Sequence, residues 1–228
     1  MKLRVKITKG NGVRFISHLE YSKTINRALR RAKLPVAYSE GFNPHIKMSL
    51  ASALGVGITS LSEYVEVELR EEILASHAMQ ALNNTLPKDI RVLACDVIDK
   101  KADKKLMAVL TGASYEIIIF SCGIEHFIKA LEQYNSAEQL FFTKKSAPQK
   151  PTKIVDVKEY VGKILCEALP NGIKIIFECQ IKPAGTLKAQ DILSVLQEQY
   201  GLVFDILACD ITRTALYRDG KQSLLNSF

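Results

Sequence analysis

The chain has no Cys-x-x-Cys pair, no apolar run long enough to cross a bilayer, and none of the common nucleotide or hydrolase signatures. Each absence excludes something. Its five cysteines (Cys95, Cys122, Cys166, Cys179 and Cys209) are odd in number and widely scattered, so a disulfide framework or a zinc ribbon is not expected. Reduced thiols buried in core strands are the plain reading. A membrane helix needs about 20 apolar residues, and the opening Met-Lys-Leu-Arg-Val-Lys-Ile alternates like a strand and lacks a signal-peptide core. A cytoplasmic location without membrane contact is therefore the expectation. There is no P-loop, no Gly-x-Gly-x-x-Gly, no His-Glu-x-x-His and no convincing catalytic triad. No metal or cofactor is expected.

What is present is ordinary in bulk and unusual in distribution. With 228 residues, 47% hydrophobic and 24% charged, the chain can build one large domain or two modest ones. The first fifty residues hold eleven Lys or Arg against Glu20 and Glu40, a local charge of +9. Since the whole chain is +7, the other 178 residues sum to −2. The basic character is regional.

The pattern of elements predicts an α+β fold of two tandem ferredoxin-like modules, each β-α-β-β-α-β. In the first, spanning 1–98, Leu3, Val5 and Ile7 alternate with Lys2, Arg4 and Lys6 as a half-buried strand. Ser17 is a suitable N-cap for a helix from His18 to Ala32. Strands follow at 46–51 and 63–69, a helix at 72–84 and a strand at 90–98. A basic linker with Lys100, Lys101, Lys104 and Lys105 covers 99–113. The second module, 114–228, repeats the order: strand 115–121, helix 124–134, strands 139–144 and 173–181, helix 188–200 and strand 205–217. An insertion at about 145–172 interrupts it, carrying Pro148, Pro151 and an amphipathic stretch from Asp156 to Leu169. The echo of Val92-Leu93-Ala94-Cys95-Asp96 in Ile206-Leu207-Ala208-Cys209-Asp210 supports a repeat.

In this fold one sheet face can stay open. In the first module that face would pair Arg4 and Lys6 against Glu66 and Glu68, with Tyr64 its one aromatic, a poor platform for stacking RNA bases. In the second, Ile118, Phe120 and Ile176 would face outward and need a cover.

Two stretches hold the candidate binding residues. Arg14, Ser17 and His18 surround a helix start, where backbone N–H groups favour an anion. The glycines of Lys9-Gly10-Asn11-Gly12 would let the backbone approach a ligand closely. Lys23, Arg27 and Arg30 or Arg31 share one helix face as a phosphate track. Gly41, Asn43, His45 and Lys47 lie in a turn-forming stretch after that helix. A helix of about 15 residues separates its ends by about 22 Å, which argues against a paired-histidine metal or nuclease site. Phe15 and Phe42 read as anchors in the core. His77 and His126 lie on ordinary amphipathic helices.

Arg14 to Leu19, Arg27 to Arg31, Leu34-Pro35, Ala37 to Ser39, Gly41 to His45 and Glu63-Tyr64, with Ile211 to Leu216 near the end, resemble a bacterial family of unknown function called radical-SAM-linked or radical-SAM-associated proteins. Ile46 stands where the family pattern has proline. The resemblance implies a partner, a radical S-adenosylmethionine protein, and an accessory role in modifying RNA or a ribosomal component. It supplies no catalytic residue. The three-cysteine cluster that would hold an iron–sulfur centre is absent here. The expected function is a non-catalytic accessory protein that binds RNA or presents an RNA-related substrate. Two alternatives stand beside it. One is a metal-independent endoribonuclease resembling CRISPR-repeat processing enzymes, with His18 as general base but without their C-terminal glycine-rich loop. The other is a plain protein-interaction module.

Overall fold

The computed structural model describes residues 1–98, 106–120, 123–144 and 152–225. The chain folds as two compact units: Met1–Leu110 with Arg213–Phe228, and Thr111–Thr212. Both are mixed α+β, built on antiparallel pairing. The expected linker lysines at 100–105 and the expected insertion residues 145–151 lie outside the described residues.

The first unit runs β1 (Lys2–Lys9), α1 (His18–Arg31), β2 (Met48–Leu50), β3 (Ile58–Glu68), α2 (Ala75–Asn83), β4 (Val92–Ile98) and the short α3 (Leu106–Val109). β1 lies between β4 and β3, and β2 pairs with β3, all antiparallel. Ser17 caps α1 as its sequence suggests: Ser17 Oγ accepts from the Glu20 N–H at 3.2 Å. Tyr21, Ile25, Ala28 and Leu29 recur at helical spacing and are the buried stripe of α1. They pack on Leu3, Val5, Ile7, Val65 and Val67.

The other face of this sheet is not open, contrary to expectation. Arg4 and Glu66 face each other in register, as the charge pattern implies, but both are buried. Arg4 Nη2 meets Glu66 Oε2 at 2.8 Å, Lys2 Nζ meets Glu66 Oε1 at 2.7 Å, and Arg4 Nη1 donates to the Leu224 carbonyl at 2.8 Å. The chain's C-terminal segment, with Leu224 and Leu225 buried, therefore takes up the polar face of β1 and β3. Tyr64 is buried too, which removes the sheet as a stacking platform.

The second unit holds β5 (Gly112–Phe120), α4 (Ile124–Ser136), β6 (Phe141–Lys144), β7 (Lys153–Asp156), β8 (Ile164–Leu169), β9 (Gly172–Gln180) and α5 (Ala189–Tyr200). β10 (Asp210–Tyr217) begins in this unit, and its Arg213–Tyr217 part belongs to the first. β9 pairs with β5 on one side and β8 on the other, both antiparallel. Two expectations are corrected here. The strand near 139–144 stays off this sheet and pairs with β7 as a separate hairpin. The strand beside β9 comes instead from the insertion, at Ile164–Leu169. Its pattern hides it: only Ile164 is fully buried, so an edge strand of Leu, Glu and Ala carries no period-two signal.

The five-residue echo also fails structurally. Val92–Asp96 lies within β4, whereas Ile206–Ala208 is a 3-10 turn before β10, with Leu207 92% exposed. The expected strand at 205–217 accordingly starts only at Asp210. On the outer face of the second unit's sheet, Phe120 and Ile176 remain exposed and Ile118 half-exposed. Cys179 and Cys209 are buried and Cys95 half-buried, but Cys166 on β8 is exposed. Cys122 lies outside the described residues. No helix among the described residues is long and apolar enough to cross a membrane.

Candidate nucleic-acid interface

The candidate residues fall into three sets, all within the first unit. The first is the loop that leads into α1. Lys9, buried at the end of β1, donates from Nζ to three loop carbonyls: Arg14 (2.9 Å), Ile16 (3.1 Å) and Gly55 (3.4 Å). Burial lowers the Lys9 pKa, and so do the Arg213 and Arg14 charges, while Glu63 opposes them. Arg14 Nε donates to Gly57 O (3.0 Å), and its guanidinium lies 5.3 Å from the Phe15 ring centre. Arg14 is thus engaged in holding two loops together.

The loop glycines have a different purpose from the one the sequence suggests. Gly10 N–H donates to the Asp89 carbonyl (2.7 Å) and Gly12 N–H to Asp89 Oδ1 (2.9 Å). A Cβ on Gly12 would stand 2.5 Å from Asp89 Oδ2. The close approach is to Asp89, within the unit. His18, the first residue of α1, is half-buried, and its Nδ1 is shielded from solvent without a hydrogen bond.

The second set is the polar face of α1. Ser22, Lys23, Asn26, Arg27 and Arg30 line a shallow hollow of about 260 Å³. Lys23 is held by Glu20 at 2.8 Å, which lowers the Glu20 pKa through that hydrogen bond and charge. Arg31 turns away and donates to the Thr85 carbonyl at 2.7 Å. That leaves Arg27 and Arg30, both exposed. Among the described residues neither side chain has a hydrogen bond or ion pair.

The third set is the stretch holding Gly41, Asn43 and His45, which forms a closed hairpin tip. Tyr38 and Ile46 bridge its base. Above them Ser39 N–H donates to the His45 carbonyl (2.8 Å), His45 N–H donates to Ser39 Oγ (3.1 Å), and Ser39 Oγ lies 2.8 Å from His45 Nδ1. With Oγ accepting from the backbone, its proton is free to point at Nδ1. Gly41 has φ +110°, a region that side chains rarely adopt. Residues 40–45 are all exposed. Lys47 lies below the tip, 4.0 Å from Glu68.

Two residues expected as core anchors lie on the surface instead. Phe15 is 73% exposed and Phe42 is fully exposed. A signal is available for Phe42: at strand spacing its neighbours are Glu40 and Pro44, and it lies in a Gly- and Pro-bearing turn, so it belongs to no alternating apolar face. Arg213, buried beside Glu63, is a residue that the sequence pattern does not single out. Among the described residues there is no group of three or more His, Cys, Asp or Glu that could hold a metal ion.

No curated protein matches this chain. In fold it is similar to a chain of a solved structure titled "Crystal Structure of a Cbf5-Nop10-Gar1 Complex", with a TM-score of 0.53 and 9% identity. The match covers 94% of this chain and 48% of that one, so this chain spans about half the length of the solved chain it matches. At that identity the likeness concerns fold alone. Over residues 2–195 the sequence matches the family model described as "Uncharacterized protein conserved in bacteria (DUF2344)", and the chain belongs to that bacterial family.

Proposed function

We infer that this protein is a non-catalytic, cytoplasmic accessory protein that binds RNA, or presents an RNA-linked substrate, beside a radical S-adenosylmethionine protein. The observation that carries the RNA part is the pair Arg27 and Arg30, two exposed guanidiniums that line the hollow on α1 and that no side chain among the described residues holds by a hydrogen bond. Guanidinium pairs suit phosphate oxygens, because each presents a planar fork of donors. They stand in the part of the chain where the +9 charge is concentrated. The radical-enzyme part rests on the sequence resemblance.

We read each unit as one ferredoxin-like module. Support for the first is its strand order, with β1 between β4 and β3 and β2 beyond β3. In the second, β5, α4, β8, β9 and α5 follow the same succession once the β6–β7 hairpin is set aside.

The test is RNA binding at 50 and 200 mM salt. Affinity falls steeply with salt if phosphates are neutralised, and Arg27→Ala with Arg30→Ala reduces the slope of log K against log salt by about 2. No binding at either salt overturns the reading. RNA cleavage in EDTA that His18→Ala abolishes would replace it with the nuclease reading.

A protein-docking role has one observation in its favour. Leu165 and Ile176 stand opposite each other in register and are both exposed, with Phe120 exposed on the same sheet. Co-purification of a radical enzyme that survives nuclease treatment and is lost in Leu165→Glu would place the partner there.

A further inference from the structure

We propose that Phe42 is a stacking anchor for one unpaired base of single-stranded RNA, presented by the locked hairpin tip at residues 39–45. This rests on the RNA-binding reading above and names what that surface takes.

Three observations lead to it. First, Phe42 is fully exposed, which sets the whole apolar area of an aromatic ring in water without a partner. Second, the tip that carries it is preorganised. Three polar contacts between Ser39 and His45 close its base, and Gly41 turns the chain at φ +110°. An anchor held in place before binding loses little freedom on contact, which raises affinity. Third, its neighbours are polar and flat. The Asn43 amide and the His45 ring are exposed beside it. An amide donates and accepts, and an imidazole ring has two nitrogens able to hydrogen-bond; both suit the edges of an unstacked base.

The surroundings favour a base over an apolar protein pocket. A protein hot spot is ringed by apolar contacts that keep water out, whereas here Glu40, Gly41, Asn43 and His45 flank the ring. The tip holds Glu40 and no Lys or Arg, so the tip itself contributes no phosphate attraction. Phosphate affinity belongs to Arg27 and Arg30, and base contact belongs to Phe42. Every base has a π-face, so such a platform accepts many sequences. Bases stacked inside a duplex are unavailable to it.

This division of labour gives a test with separable outcomes. The probes are unlabelled U15 and A15 oligoribonucleotides and a 15-base-pair RNA duplex. Phe42→Ala lowers affinity for the single strands about ten-fold or more at both salt concentrations. The salt slope stays unchanged, in contrast to the arginine variants. Phe42→Tyr keeps the affinity, and Phe42→Leu, apolar but without a π-face, loses it. The chain contains no tryptophan, so Phe42→Trp creates a single tryptophan at the tip, excitable apart from the tyrosines, whose emission is quenched by the single strands and not by the duplex. Because residue 42 makes no buried contact, circular dichroism melting of each variant matches the parent.

Equal binding by Phe42→Ala and the parent overturns the anchor and leaves the RNA reading standing. Absence of binding by the parent overturns both. Unchanged RNA binding by Phe42→Ala, coupled with loss of a co-purifying protein, assigns the tip to a protein pocket instead.

Discussion

Arg213 meets Glu63 across 150 residues of sequence, with Arg213 Nε donating to Glu63 Oε1 at 2.7 Å and Nη2 donating to Glu63 Oε2. Both side chains are almost completely buried. The pair joins β3 to the stretch of β10 that returns to the first unit after residues 111–212 have built the second. Ser60 Oγ adds a bond to the Arg213 carbonyl at 3.2 Å, and Arg213 Nη1 reaches Ser52 Oγ at 3.2 Å.

Breaking this pair by removing Arg213 leaves the buried Glu63 carboxylate without its two-pronged hydrogen-bond partner, with Lys9 as a nearby cation. Arg213→Met should therefore cost about 3–5 kcal/mol in urea unfolding of the whole chain. The double variant Arg213→Met with Glu63→Leu should recover much of that loss, since two apolar side chains need no partners. A double variant as unstable as the sum of the singles would show that the pair is not coupled.

Legibility in the sequence follows burial. α1, β5 and β9 are readable because each buries one regular stripe. β1 and β3 are readable because apolar and charged residues alternate along them although both faces are buried, and that charge pattern even foretells that Arg4 and Glu66 face each other. What the pattern does not show is the cover over that face. Leu224 reaches Arg4 from 220 residues away, and nothing local to β1 encodes it. β8 escapes detection because an edge strand with one buried residue has no period to detect. Phe15 and Phe42 are misplaced by the common rule that large apolar side chains go inside, a rule that holds only on average. The cations of α1 are visible in the sequence as a face, but not that Arg31 is tied to the Thr85 carbonyl and Lys23 to Glu20.

Gly172 and Gly41 should respond oppositely to the same substitution. A Cβ on Gly172 would stand 2.0 Å from the Ile119 carbonyl oxygen, where β9 crosses Phe120 of β5. That neighbour is backbone within a paired strand and cannot step aside, so Gly172→Ala should cost about 2 kcal/mol or more. Around Gly41 there is open space and the only objection is φ +110°. Gly41→Ala should leave the melting temperature close to the parent's while weakening RNA binding, because only the tip is distorted. A shared drop in melting temperature for both would contradict this.

The thiols give the pH-dependent prediction. Burial, and next the Asp96 carboxylate, push the Cys95 thiol from its ordinary value of 9.0 up to about 12. Burial raises Cys179 as well, although its hydrogen bonds with Thr186 and Leu187 oppose it. Thiolate is the reactive form, so in the Cys122→Ser variant the native protein should label rapidly at Cys166 alone at pH 8, with Cys95, Cys179 and Cys209 reacting only after unfolding. The sign of the stability effect follows from the raised value. Below pH 9 the thiol is protonated in both the folded and unfolded chain, and its contribution is fully present. Between pH 9 and about 12 the unfolded chain releases the proton and the folded chain keeps it, so stability falls as pH rises. Compared with Cys95→Ala, the parent should lose about 1 kcal/mol more between pH 9 and pH 10, measured as the difference between their urea unfolding free energies. An unchanged difference across that interval would mean that Cys95 is not held as a thiol in the folded chain.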